Sequence, residues 1–391
     1  MLENIVVLEL ASVLAGPLVG QFFAELGSTV IKIENPRTKG DVTRKWKVKG
    51  ENPNTDISAY FSCANWGKYS VAIDLSKEEG KKLVYELVKK VDVVIVNYKP
   101  GDDKKLGMDY QTLSRINPRI IYGHITGYGL ENPRSGFDAL IQAESGFMYM
   151  NGYPECPPAK MPVALIDILA AHQLKEAILL ALMEREKTGK GKYIHVSLFH
   201  SAIASLANQA TNYLMVGHIP QRMGSEHPNI FPYGSVFKTL DGGEIILAVG
   251  TDRQFQELCE ILGIGFIAED PKFRDNASRV KNREILRRIL ADEIRKYRKE
   301  DLLQKLYEKN IPAGSINNME EVFKIKESEE MIVEGKTTRG LNVRAVRTVV
   351  FSREDISPPP HYAEHTNFIL SHYLGMNESE IKELRAKGIV E

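Results

Sequence analysis

The 391-residue chain has only three cysteines, Cys63, Cys156 and Cys259, odd in number and far apart. They show neither the paired spacing of a zinc site nor that of a disulfide framework, so a reducing, cytoplasmic setting is expected. Charge of one sign is not in excess either: Lys+Arg and Asp+Glu stand at 51 each. That balance gives no global electrostatic basis for binding nucleic acid or a membrane, so any anionic ligand must meet local basic groups. The opening MLENIVVLELASVLAG carries no basic residue ahead of its apolar stretch and is interrupted by Glu3 and Glu9, which argues against a signal peptide or a spanning helix. No Ser or Cys stands in a nucleophile elbow, and Gly16 and Gly20 do not complete a G-x-G-x-x-G pattern. Serine, cysteine and ordinary dinucleotide chemistry therefore lack support. His361 and His365 have i,i+4 spacing but follow three prolines and have no third ligand, so no metal is expected.

What is present is an alternation of strand and helix patterns. IVVLELA reads as a strand, AGPLVGQFFAEL as a helix started by Pro17, and STVIKIE as a second strand. The unit recurs in YSVAIDL, SKEEGKKLVYELVKKV with Ser76 as its N-cap, and DVVIVNY, and again in DYQTLSRI and RIIYGHITGYG. Such alternation predicts an α/β fold: a doubly wound, mostly parallel, Rossmann-like sheet covered on both faces. A long helix is expected to end at Gly189, ahead of the strand KYIHVSLF. Next come the helix SAIASLANQATNYLMV and a breaker-rich stretch, then a hairpin turning at Asp241 and Gly242 and a run of helices. The expected organisation is a large domain over 1–200, a linker over 201–228, a smaller α+β domain over 229–329, and a C-terminal return to the large domain over 330–391.

The chemistry centres on MPVALIDILAAHQ, where Asp167 is the one charged side chain among Met, Pro, Val, Ala, Leu and Ile. Its plainest role is the N-cap of the helix that follows. The same helix end keeps a carboxylate ionised in apolar surroundings, and a desolvated carboxylate is a usable nucleophile. In an open parallel sheet, ligands bind beyond the carboxyl ends of the strands. That rule brings forward Asn97, Tyr98 and Lys99 after VDVVIV, with Lys104 and Lys105 beyond, and Lys68 beside another strand; the helix start at Ala15 to Pro17, with Lys32, Arg37, Lys39 and Arg44 nearby, suits a phosphate-bearing ligand. A solvated basic surface is the bland alternative for these cations.

At this point the chain resembles the family III CoA-transferases, the group that holds formyl-CoA transferase, carnitine CoA-transferase and the 2-methylacyl-CoA racemases. The resemblance runs nearly end to end, through LASVLAGPLVGQFFAELGSTVIKIENP, NWGKYSVAIDL, VDVVIVNYKPGDDKKLGMDYQTLSRINPRIIYGHITGYG, SGFDALIQAESGFMYMNGY, ALIDILAAHQ, EKTGKGKYIHVSLF and HYAEHT. It implies a CoA-binding large domain, a small domain, and two chains interlocked as rings in a homodimer. No cofactor is held permanently, and coenzyme A or acyl-CoA is the substrate. Asp167 falls on the family's catalytic aspartate, which passes through an acyl anhydride and an aspartyl-CoA thioester. Asp138 matches an acidic position close to the nucleophile. CoA is expected along Leu14, Ala15, Arg37, Lys68, Asn97, Tyr98 and Lys105. The chain departs from formyl-CoA transferase at Leu14, which is glutamine there, and lacks its glycine-rich active-site loop. The racemases carry a histidine before the aspartate of GFDALIQA, where this chain has Phe137, so transfer is favoured over racemisation, with a non-catalytic CoA-binding protein as the remaining alternative. Arg134 and Arg222 are candidates for a second carboxylate on a substrate, with plain surface solvation as the alternative. The donor and acceptor acids are not specified by the sequence.

Overall fold

The structure, a computed structural model, describes residues 1–352 and 355–391. Its centre is a six-stranded, all-parallel sheet built from β1 (Val6–Glu9), β2 (Thr29–Glu34), β3 (Lys68–Ala72), β4 (Val93–Val96), β5 (Ile121–Thr126) and β6 (Lys192–Ser197). The strand order is β3-β2-β1-β4-β5-β6. Because β1 is flanked by β2 on one side and β4 on the other, the winding reverses between β1 and β4 and opens a crevice at their carboxyl ends. The central strands β1 and β4 are buried on both faces, which is why they read as near-continuous Val/Ile/Leu runs, whereas β6 at the edge is half-exposed.

Helices fill the connections: α1 (Ala15–Glu25), α2 (Ala59–Ser62), α3 (Glu78–Val88), α4 (Asp102–Leu106), α5 (Tyr110–Ile116), α6 (Asp138–Glu144), α7 (Phe147–Met150), α8 (Leu165–Thr188) and α9 (Leu198–Ala204). One core cluster lies between the sheet and α3, α5 and the C-terminal helices, with Leu8, Ile31, Val71, Val84, Leu113 and Ile369 fully or almost fully buried. The other face carries α1 and α8, whose apolar residues Val19, Phe23, Leu174 and Ile178 are closed off from solvent. At roughly 25 cal/mol per Å² of apolar surface removed from water, this two-sided burial is the main force holding the strand ends in place.

Local chemistry corrects several sequence expectations. Ser76 does not cap α3: Lys77 occupies that position, and the Ser76 hydroxyl donates instead to Asp74 Oδ1 at 2.6 Å. Asp167 is not the cap of α8 either. The helix starts at Leu165 behind Ala164, so Asp167 is its third residue. The capping bond comes from elsewhere in the chain, with Ile166 N–H donating to Asp138 Oδ1 at 2.8 Å. Gly189 ends α8 in the left-handed conformation at φ 69°, as its lack of a Cβ allows. The single helix read across SAIASLANQATNYLMV is two, broken at Ala207, whose φ is +48°.

The chain forms two compact units, the first of residues 1–145, 161–212 and 329–391 and the second of 146–160 and 213–328. In the second, β7 (Tyr233–Lys238), β8 (Glu244–Ala248) and β9 (Ala313–Ser315) make an antiparallel sheet backed by helices Asp252–Ile261, Arg283–Ile294 and Lys299–Glu308. Residues 146–160 join this unit through hydrogen bonds such as Gly224 N–H to Gly152 O at 2.8 Å and Tyr149 OH to Gln221 at 3.0 Å.

Candidate active site

The turn between β1 and α1 lies at the sheet's switch point and is held from two sides. Asn97, just past β4, clamps Ser12 with both ends of its amide: Nδ2 donates to Ser12 O at 2.7 Å, and Oδ1 accepts from Ser12 N–H at 3.1 Å. Next along the chain, Val13 has φ +70°, a left-handed conformation that a β-branched residue avoids. Its N–H is taken by the Asp41 carboxylate at 3.2 Å. Strain of this kind persists where surrounding contacts over-determine the backbone, and it concentrates at functional sites. Behind the turn, α1 begins with no side-chain cap at Leu14, leaving its first N–H groups without a side-chain partner.

A cavity of about 200 Å³ opens at this turn. Ser12 to Ala15, Asn97 to Pro100, the end of β5 with Thr126, the segment from Arg134 to Asp138, and Asp167 line it. The structure therefore brings Leu14, Ala15, Asn97, Tyr98, Asp138 and Asp167 into one wall, although they lie on four separate stretches of sequence. Glycine makes part of this possible. Gly127 and Gly136 pass so closely that a Cβ on Gly136 would lie 2.1 Å from the Gly127 Cα.

Asp167 is partly buried in that wall, and loss of water, reinforced by the negative charge of Asp138, pushes its carboxyl up to about 7. Asp138 is itself buried and fixed, accepting from Ile166 N–H and, at 2.6 Å, from Gln142 Nε2. Asp138 is thus tied down by two donors beside a carboxyl of raised proton affinity. A carboxylate whose proton affinity has risen by this much is, in its ionised form, a stronger nucleophile than a solvated one.

A second, larger cavity of about 680 Å³ follows the carboxyl ends of β1 to β4 and shares Ser12 and Tyr98 with the first. Arg37 lines it, held by Asp74 at 3.1 Å while most of its side chain stays exposed. Lys45 is nearby on the same rim. The larger groove thus meets, at Ser12 and Tyr98, a smaller pocket lined by Asp138 and Asp167.

Two expected ligand contacts take other places. Lys68 is fully buried, and its three N–H donors are consumed by Glu9 at 2.7 Å, Pro17 O at 2.9 Å and Asn65 at 3.0 Å. Lys32 is saturated in the same way by Glu9, Ala11 O and Asp41. The chain Lys68, Glu9, Lys32, Asp41 ends on the Val13 N–H, so these charges shape the turn instead of meeting a ligand. Lys105 lies on the surface, paired with Asp102 at 2.8 Å, and lines neither cavity. His361 is spoken for by Asp56 at 2.6 Å and Thr337 at 3.0 Å.

The sequence reading placed Lys99 at this strand end but did not single out Val13 or Thr126, which line the smaller cavity, nor Tyr60. Thr126 follows the carboxyl-end rule, since it closes β5, and pairs with His195 Nε2 at 2.8 Å. Burial lowers that histidine to about 4, so it is neutral at physiological pH. Tyr60 on α2 lies within the field of Asp167 and Asp138. Burial, Cys63 and these carboxylates raise its phenol to about 12. Positive φ at Val13 has no sequence signal.

Comparison with known proteins decides what this site belongs to. Residues 2–366 match the CoA-transferase family III model. The chain belongs to CoA-transferase family III. A succinate–glutarate CoA-transferase from Agrobacterium fabrum is 40% identical over 385 residues, covering 95% of each chain. The Mus musculus succinyl-CoA:glutarate CoA-transferase is 35% identical, covering 100% of this chain and 90% of the relative. Among solved structures, a CAIB/BAIF family protein from Brucella suis superposes with a TM-score of 0.82 at 40% identity, over 95% of this chain and 98% of that one. Rv3272 from Mycobacterium tuberculosis gives 0.80 at 28% identity, over 94% and 98%. This family III enzyme transfers CoA between an acyl-CoA and a carboxylic acid. Among its described residues no helix is long and apolar enough to cross a membrane.

Proposed function

We propose that Asp167 is the nucleophile of this transfer and that the acids exchanged are short dicarboxylates, with succinyl-CoA as a donor. The observation that carries the reading is a carboxylate pushed up to about 7, set in a small pocket at the sheet's switch point. The names of the similar enzymes, which pair succinate or succinyl-CoA with glutarate, support the substrate class.

The Asp167 carboxylate adds to the thioester carbonyl, and collapse expels CoA thiolate and leaves a mixed anhydride. The thiolate then attacks the aspartyl carbonyl, releasing the first acid and forming an aspartyl-CoA thioester. The acceptor carboxylate attacks this thioester, CoA leaves again, and its attack on the new acyl carbonyl yields the product and regenerates Asp167. Every intermediate is hydrolysable, so an enclosed site preserves the thioester energy. The nucleotide portion of CoA lies in the larger groove beside Arg37, and the thioester reaches the smaller pocket past Ser12 and Tyr98. Racemisation calls for a second base across the α-carbon, and the residue next to Asp138 is Phe137, 62% exposed.

The interlocked homodimer belongs to the same reading. It is supported by the exposed apolar run Leu214, Met215 and Val216, each at least 77% exposed, which is the kind of patch a partner covers. The three free cysteines suit a cytoplasmic enzyme.

The test is mass spectrometry of the Asp167 peptide after incubation with succinyl-CoA and a hydroxylamine quench. A hydroxamate at Asp167 is the expected product, and an unmodified peptide under turnover conditions would overturn the covalent route.

A further inference from the structure

We propose that Arg134 selects the acid substrate by binding the carboxylate of a dicarboxylate that does not react. This rests on the transfer reading above. A diacid bound with one end at Asp167 carries a second full negative charge into a cavity of about 200 Å³ that already holds Asp138 and Asp167. Repulsion from two carboxylates already on the wall opposes that charge, so a dicarboxylate enzyme gains from a cation at the rim, where the Arg134 side chain is 55% exposed.

The wall offers two, Lys99 and Arg134. Lys99 follows Tyr98, which also lines the long groove, and so stands on the side where CoA enters. Arg134 begins the short segment that runs into Asp138, and Asp138 holds the N–H of Ile166, the residue before Asp167. The same segment is pinned at Gly136 by its close approach to Gly127.

Arg134 is also fixed in orientation. Its Nη1 and Nη2 donate to the two Glu144 oxygens, at 3.2 and 2.5 Å, and its guanidinium lies over the Tyr128 ring at 4.4 Å. Of five N–H donors, these bonds use two, leaving three for a carboxylate. Glu144 and Tyr128 are positioning residues that limit the rotamer freedom a long side chain would otherwise lose on binding. A planar, held fork suits a carboxylate better than a mobile ammonium does.

The experiment compares two acceptors of equal length, glutarate and pentanoate, with one fixed acyl-CoA donor, in wild type, Arg134→Gln and Arg134→Lys. Wild type is expected to favour glutarate strongly. Arg134→Gln is expected to shrink that preference at least tenfold, chiefly through the KM for glutarate and with a smaller change for pentanoate, and Arg134→Lys to restore part of it. An equal loss on both acceptors in both variants, or an unchanged preference, would overturn the assignment. Wild type that transfers to neither acid and gives no Asp167 hydroxamate would instead overturn the transfer reading, and the assignment with it. Thermal melting confirms that the variants are folded, and Arg134→Lys, which keeps the charge, is the fallback should Arg134→Gln melt early.

Discussion

Asn97 holds both backbone groups of Ser12, its Nδ2 donating to the carbonyl at 2.7 Å and its Oδ1 accepting from the N–H at 3.1 Å. A side chain at the end of β4 thereby fixes the turn that leaves β1, across the point where the sheet changes direction. Replacing Asn97 by Ala removes both bonds, about 1–3 kcal/mol at 0.5–1.5 each. Steady-state kinetics should show a higher KM for acyl-CoA and a smaller change in KM for the acid, because Ser12 is shared by both cavities while the acid pocket keeps its other walls.

Asp167→Asn keeps the volume and, in the proposed mechanism, loses the nucleophile, and the expected result is a fall in transfer on the order of 10⁴-fold or more, with CoA still bound. Stability should move the other way. The folded carboxyl sits near 7 and the ordinary value is 3.8, so between these the folded chain binds more protons than the unfolded one. Stability therefore falls as pH rises from about 4 to about 7, and the loss persists above that. Denaturant unfolding at pH 5 and pH 8 should show Asp167→Asn relieving the pH 8 deficit.

The same shift sets the pH dependence of the reaction. The ionised form attacks, so kcat/KM should rise with pH to a plateau above about 7. Burial is the larger cause of the raised value and Asp138 the second, so Asp138→Asn should move this limb to lower pH without abolishing it. A limb that stays in place would show that the Asp138 charge does not reach Asp167.

Lys68→Met should cost about 3–5 kcal/mol in urea unfolding, since it leaves Glu9 and Asp41 buried against a single remaining ammonium. Calorimetry on the folded variant should show CoA affinity changing much less than in Arg37→Ala, because the Lys68 donors are spent inside the protein. A CoA defect in Lys68→Met equal to that of Arg37→Ala would refute this.

Gly136→Ala places a methyl group 2.1 Å from the Gly127 Cα, and neither backbone can yield by rotating a side chain. The expected outcome is a stability loss of about 1–3 kcal/mol and a raised KM for the acid as the Arg134 to Asp138 segment is pushed aside. Thermal melts and acceptor titrations measure the two effects separately.

Much of the frame was legible in order along the chain. The parallel sheet announces itself because strands buried on both faces are continuous runs of Val, Ile and Leu, and Asp167 stands out because an acid in an apolar stretch needs a reason. The caps were harder. Ser76 and Asp167 have the right type and place for N-caps, yet Asp74 draws the Ser76 hydroxyl away and Asp138 reaches across to serve the first turn of α8. Lys68 and Arg37 look alike as isolated cations; only the packing shows one saturated in the interior and the other open on a groove.

By itself, then, the sequence determined the alternation of elements, the sheet that follows from it and the one acid standing in an apolar stretch, because periodicity and local composition act over a few residues. The tertiary structure decided which charges are spent and which remain for chemistry. Solvation and pairing depend on groups brought together from distant segments, and the rise of Asp167 to about 7 beside Asp138, the strain at Val13 and the anchoring of Arg134 by Glu144 exist only once those segments meet.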